Sequence, residues 1–311
     1  MHGTSKPVGQ GSWRRQGLLF AAPGFGLRAS HAMLPTPFVV GDVVRTLYAS
    51  CDQHLRGRIF ALDVEATPPF RVVRQGADPV LDLGAAGTFD ADGVNPSQIV
   101  RDGNDIVLHY IGWERIGAGI PYRLVAGRAI SRDNGLSFER RRQMLPLSHT
   151  ESLFRTAPFV FRHARGLGVL YIGGSEFIES KPEKFLPVYS LRLAWSKDGL
   201  VWPAEGQEII RPDQQKGEIG FGRPVLRLEE DGRFTLLVSR RTTSGYHLLQ
   251  SPWDPDDPTA VTLTPVLEGY PQPWEAEMTC FGAVCPEGAP DLLFYNGNQF
   301  GRTGFGLAIR A

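Results

Sequence analysis

The sequence predicts an all-β fold, a five-bladed β-propeller whose ring is closed by an N-terminal strand joining the last blade. Three observations predict it. A polar turn running into a short apolar strand, usually through a proline, occurs five times at intervals of about sixty residues. With Pro37, Pro96, Pro158, Pro224 and Gly282 as markers, the steps are 59, 62, 66 and 58 residues. Each marker is followed by two further apolar runs, and the last copy stops after its third run at the chain end, Ala311. Residues 16–20 are then the outer strand of the fifth blade, which removes the exposed edge.

The elements follow in order. Blade one starts at Pro37 and continues with residues 45–49 and 58–62; blade two starts at 95–99 and continues with 106–110 and 125–130. Blade three takes 157–160, 169–172 and 191–195, and blade four 223–226, 234–238 and 246–249. Blade five takes 280–284, 292–295 and 305–309. All these runs are short, rich in β-branched and aromatic residues, and bounded by Gly, Asp and Pro, which favours strands over helices. A unit of three or four strands cannot bury both faces alone, so the copies stack around an axis. One domain spans 1–311, with residues 1–12 extended or disordered.

Ser131, Asp133, Gly135 and Phe138 form a Ser-x-Asp-x-Gly-x-x-aromatic pattern, echoed in shortened form from Ser196 to Trp202. It is a hairpin device in which Asp holds backbone amides, Gly takes positive φ and the ring covers the turn.

Composition excludes more than it identifies. Lys plus Arg and Asp plus Glu are 33 each, so no basic excess points to nucleic acid. No apolar stretch approaches the ~18 residues of a membrane span. Three cysteines, Cys51, Cys280 and Cys285, are odd in number and lack zinc-ligand spacing, which makes a reduced, cytoplasmic setting the expectation. Phosphate-loop, zinc-protease and dinucleotide motifs are missing, so neither cofactor nor metal is expected. Oligomeric state is left open.

In a propeller the chemistry sits at one mouth of the channel, where the innermost strands begin. The segments ahead of the markers are acidic: Asp90 and Asp92 in blade two, Glu151 in blade three, Glu218 in blade four, Glu275 and Glu277 in blade five. Carboxylates from different blades in one bowl have their pKa values pushed apart by burial and repulsion, the division that glycosidic bond cleavage needs. For each acid taken singly, a turn cap or a solvated charge is the alternative. Trp113 and Trp274 offer flat faces for sugar rings, or else pack. Arg155, Arg223 and Arg240 either clamp a carboxylate or phosphate or pair with Glu151 and Glu218. His31 is a proton-transfer group near its reference pKa of ~6.5, or a rim spacer. Asn95, Asn296 and Arg302 complete the candidate substrate-binding set. The expected ligand is a carbohydrate or sugar phosphate.

Residues 31–37 (HAMLPTP), 89–97 (FDADGVNPS) and 294–306 (FYNGNQFGRTGFG) resemble a group of bacterial glycosidase-like proteins often associated with surface-polysaccharide genes. The wider resemblance is to the five-bladed glycosidase superfamily with the arabinofuranosidase/xylosidase, invertase-like and mannoside phosphorylase families. In that pattern a blade-one Asp is the base, a blade-two Asp orients the acid and tunes its pKa, and a blade-three Glu is the acid. The resemblance implies Asp92 and Glu151 in the last two roles. Blade one carries no carboxylate in residues 31–37, so Glu277 or Glu218 would supply the partner of an enzyme that cleaves or transfers a glycosidic bond. The alternative is a carbohydrate-binding or assembly propeller without catalysis.

Overall fold

The computed structural model describes residues 11–117, 119–285 and 291–310; the expectation for residues 1–10 lies outside them. Strand β1 (Trp13–Phe20) opens the chain. A first antiparallel group follows, β2 (Ser30–Val40), β3 (Val43–Cys51), β4 (Gly57–Glu65) and β5 (Val72–Gln75). The second is β6 (Gly93–Asp102), β7 (Asp105–Gly117), β8 (Ile120–Ser131) and β9 (Glu139–Leu145). The third is β10 (Phe154–His163), β11 (Gly166–Lys181), β12 (Lys184–Ser196) and β13 (Gln207–Ile210). The fourth is β14 (Glu218–Leu228), β15 (Phe234–Thr242), β16 (Tyr246–Trp253) and β17 (Thr264–Pro265). The fifth holds β18 (Leu267–Glu268), β19 (Cys280–Val284), β20 (Leu292–Asn296) and β21 (Phe305–Arg310). Its sheet order is β18-β1-β21-β20-β19, so the N-terminal strand pairs antiparallel with the C-terminal one. The pairing covers more than residues 16–20, starting at Trp13 opposite Arg310.

The central strands read as unbroken apolar runs because a neighbouring group covers each face. Leu47, Ile59 and Ala61 of the first group pack on Ile106, Leu108 and Tyr110 of the second. Ala126 and Leu145 of the second meet Val169 and Tyr171 of the third, whose Leu170 and Leu191 meet Leu226 and Leu236 of the fourth. Leu237 of the fourth packs on Leu293 of the fifth, and Phe294 and Phe305 of the fifth pack on Val44 and Tyr48 of the first. Successive residues such as Leu47 and Tyr48, or Leu236 and Leu237, serve opposite faces, as strand alternation requires. The first strands also touch in cyclic order, β2 to β6, β10, β14, β19 and back to β2.

One feature departs from five separate sheets. Short parallel bridges, Leu124 and Val125 to Phe154 and Arg155, and Tyr189 to Gly220, join groups two, three and four into a continuous 12-stranded sheet. Leu124 and Tyr189 both line the cavity described below, so the groups merge where their strands crowd together at its wall. Among the described residues no helix is long and apolar enough to cross a membrane.

The Ser-x-Asp pattern is the expected hairpin device. Asp133 Oδ1 accepts from Ser131 Oγ at 2.7 Å and from the Leu136 and Ser137 N–H groups at 3.0 Å, and Oδ2 accepts from Ser137 Oγ at 2.6 Å. Gly135 supplies φ of 82° and Phe138 is buried. Burial alone would raise the Asp133 carboxyl, but the Ser131 and Ser137 bonds outweigh it and hold it at about 2, against an ordinary 3.8. A depressed carboxylate stabilises the fold above its unfolded pKa, and this contribution fades as pH falls from 3.8 toward 2. Asp133→Ala should therefore destabilise the protein by on the order of 1 kcal/mol at pH 7, with the gap from wild type narrowing below pH 4. Thermal melts of both proteins across pH check this.

Candidate functional site

Each first strand slips register at an equivalent place: Met33 to Thr36, Pro96 to Gln98, Thr156 to Phe159, Gly222 to Val225 and Cys280 to Ala283. These slips are bulges, and the recurring prolines 96, 158 and 224 fall in them because a bulge leaves an N–H without a ladder partner. Leu34, Ala157, Arg223 and Phe281 take left-handed φ of 51°, 50°, 39° and 54° there. Such conformations cost about 1–3 kcal/mol each in non-glycine residues and persist only where the surroundings impose them. All four residues line one cavity of about 600 Å³. That volume suits a small ligand or a short glycan.

Asp92, Asn95, Trp113, His31 and Arg223 from the sequence-derived set line the cavity. Asp92 is the one carboxylate among its described lining residues; it is half-buried and its Oδ2 accepts from the Arg115 N–H at 2.8 Å. Trp113 stacks obliquely on Tyr122, ring centres 4.5 Å apart. With its amide turned to satisfy its neighbours, Asn95 accepts from Trp113 Nε1 at 2.9 Å and so fixes the indole. His31 sits beside Ser30 Oγ at 2.9 Å. Burial, then the Arg302 charge, push its imidazole below 6.5, so it is neutral at pH 7. Arg223 is fully buried and donates to Pro35 O, Phe281 O, Ser97 O and Thr36 Oγ1. Burial pushes its guanidinium down to about 9, still cationic at neutral pH.

The other expected residues lie elsewhere, and each has a physical reason. Glu151 is fully buried against Arg155 at 2.6 Å and Arg192 at 3.2 Å, with Tyr171 Oη donating at 2.9 Å. No free oxygen remains to protonate a leaving group. Arg155 is equally spent, on Glu151 and on the Pro146 and Pro203 carbonyls. Asp90 is buried between Tyr110 Oη at 2.9 Å and Arg140 Nε at 2.8 Å. Glu275 pairs with Arg15 at 3.0 Å beside Tyr295. The regular offset of acids therefore marks a repeated tyrosine–carboxylate–arginine tie in groups two, three and five, where the sequence suggests acids converging on the channel. Glu218 pairs with Arg240 at 3.4 Å, and Glu277 is exposed with its N–H on Asn298 Oδ1. Neither lines the cavity. Trp274 packs on Tyr295, and buried Asn296 binds Ala32 O, Gly304 O and the Leu34 N–H, tying the fifth group to the first. Arg302 is exposed and acts on His31 only through its charge.

Sequence reasoning missed Arg241, Tyr122, Tyr189, Tyr246 and Phe300, all cavity-lining. Arg241 directly follows the candidate Arg240, but strand alternation sends adjacent side chains to opposite faces, and only the register sends Arg241 inward. The signal for Tyr122 and Tyr189 is the length of the β7–β8 and β11–β12 hairpins, whose strands run to 16 residues.

Comparisons with known proteins agree at the level of fold. No protein-family model matches the chain. Two uncharacterised proteins of Mycobacterium tuberculosis, from strains CDC 1551 / Oshkosh and ATCC 25618 / H37Rv, are each 26% identical over 305 residues, covering 96% of this chain and 99% of theirs. Among solved structures, a glycosyl hydrolase from Bacteroides ovatus matches with TM-score 0.67 at 15% identity, covering 98% of this chain and 95% of that one. A structure reported for the GH130 family of mannoside phosphorylases, with glycoside hydrolases that target β-1,2 mannosidic linkages in Candida mannan, gives 0.67 at 13%, covering 98% and 95%. The α-L-arabinofuranosidase of Podospora anserina in complex with cellotriose gives 0.64 at 10%, covering 96% of both. The chain has the fold of these glycosidase propellers.

The buried position of Glu151 makes it a stability residue. Glu151→Gln leaves buried Arg155 without a counter-charge and Arg192 with Glu208 alone, and should cost on the order of 3 kcal/mol and lower Tm by several degrees. Ligand affinity per folded molecule should be unchanged. Calorimetric melts alongside titration of the folded fraction read both quantities.

Proposed function

We propose that the five strand groups close as a single-domain five-bladed ring, and that the protein is a carbohydrate-binding propeller of glycosidase fold without the paired carboxylates of glycoside hydrolysis. Cyclic contacts between the first strands and the β1–β21 pairing support the ring. The observation that carries the functional reading is that Asp92 is the single carboxylate among the described lining residues of a cavity furnished with aromatic rings, aliphatic side chains and cations. Hydrolysis by the usual route needs an acid and a second carboxylate about 5–9.5 Å away. Glu151 is sealed in its ion pairs, and Glu218 and Glu277 do not line the cavity. The indole of Trp113 and the Tyr122 ring present an apolar wall on which a sugar C–H face stacks, with Asn95 fixing the indole and neutral His31 available for a hydroxyl. A structural neighbour binds cellotriose, which favours the same ligand class here.

Asp92 itself favours a second reading. One carboxylic acid suffices when only the leaving group needs a proton. Asp92 would protonate the glycosidic oxygen, the C–O bond would break, and a phosphate oxygen would bond to the anomeric carbon, giving a sugar phosphate and an Asp92 carboxylate. No base is required, because the acceptor carries its own charge.

A mass-spectrometric screen of oligosaccharides with and without phosphate, beside tryptophan-fluorescence titration, decides between the two. The binding reading expects saturable binding, weakened about tenfold by Trp113→Ala, and no product under either condition. Phosphate-dependent product that Asp92→Asn abolishes would establish the transfer reading. Hydrolysis in water without phosphate would overturn both.

A further inference from the structure

No ion pair to a carboxylate forms at the cavity-lining Arg115, Arg223 or Arg241 among the described residues; Arg223 and Arg115 donate to backbone carbonyls and a hydroxyl instead, and Arg241 sits among aromatic side chains. Its guanidinium lies among three rings, with its central carbon 5.9 Å from the Tyr189 ring centre, 5.4 Å from Tyr246 and 5.8 Å from Phe300. Its Nη1 donates to Tyr189 Oη at 2.9 Å, and Tyr189 Oη and Tyr246 Oη are 2.5 Å apart. Phe300 reaches the cage through an unusual turn. Helix α1 (Asn298–Gly301) holds Gln299 and Phe300 both left-handed, with φ of 53° and 60°. The 294–306 segment thus supplies the ring that closes the cage.

Hydrogen-bond accounting defines what this cluster lacks. The two phenols hold two hydroxyl protons, and only one can lie between their oxygens. Arg241 occupies a further acceptor site on Tyr189, so the second hydroxyl proton has no acceptor among the described residues. Burial raises the Tyr246 and Tyr122 phenols, which stay protonated at neutral pH and each keep a hydroxyl proton to donate. A guanidinium with unspent N–H groups, a surplus hydroxyl proton and no neighbouring carboxylate form a set of donors around one site. The complement of that set is an oxyanion.

We propose that the Arg241–Tyr189–Tyr246 cluster binds the carboxylate of an acidic sugar, so that the glycan held in the cavity contains a hexuronic or similar sugar acid. The proposal rests on the carbohydrate-binding reading above and names its substrate class. The number of available donors favours a carboxylate over phosphate. Arg241 has N–H groups left to offer, while Arg223, though cationic, spends its terminal nitrogens on carbonyls and a hydroxyl, and Arg115 Nη2 is bound to His54 O. A planar carboxylate also fits edge-on to a guanidinium stacked between rings.

The test compares hexuronate-containing oligosaccharides with their carboxyl-reduced counterparts, identical but for CH2OH in place of each carboxylate, by calorimetric titration of wild type, Arg241→Gln and Tyr246→Phe. Melting curves confirm that each variant is folded. The proposal expects the acidic form to bind on the order of tenfold tighter to wild type, the preference to vanish in Arg241→Gln and to shrink in Tyr246→Phe. Equal affinity for both forms in wild type would overturn it, while binding of either that needs Trp113 would leave the carbohydrate reading standing. An Arg241-dependent response to inorganic phosphate, with no preference among the sugars, would overturn it in favour of a phosphate site.

Discussion

The Arg223 guanidinium is the interaction on which the rest of the structure depends. It leaves the fourth group and donates to acceptors in three others: Pro35 O and Thr36 Oγ1 in the first, Ser97 O in the second and Phe281 O in the fifth. Ser97 Oγ in turn donates to Pro158 O of the third, so one buried network touches all five groups. A lone buried charge is expensive, and carbonyl dipoles on several sides are the means by which this one is tolerated. The same contacts hold Arg223 in its left-handed conformation. Because Arg223 also lines the cavity, the element that ties the groups together sets the electrostatic character of the site.

The repeat makes the fold legible. A sixty-residue period, proline at the bulge of the first strand and apolar runs covered on both faces are local signals, and the Asp133 turn is local as well. The site was harder to read for a specific physical reason. Asp90, Glu151 and Glu275 recur at a common offset, which in one dimension looks like convergence on an axis; in three dimensions it is a Tyr–carboxylate–Arg tie repeated within the groups. Periodic residues serve the repeat. The residues that distinguish the cavity, Asp92, Trp113, Arg241 and Phe300, break it.

Arg240 and Arg241 show the same limit at a smaller scale. Both belong to β15, and a pleat sends one to Glu218 and the other into the ring cage. Only pairing with β14 and β16 fixes which. The gap in group one, where residues 31–37 carry no carboxylate, is by contrast a sequence fact that gains weight from the structure. His31 stands there neutral, and among the described lining residues the one carboxylate is Asp92 of the second group.

A crystal structure of the protein with a bound oligosaccharide tests the central claim most directly. The account predicts a sugar ring on the Trp113–Tyr122 wall, reaching toward Arg241, with Glu151 still closed in its arginine pairs. An anomeric carbon bracketed by Glu151 and a second carboxylate would contradict it.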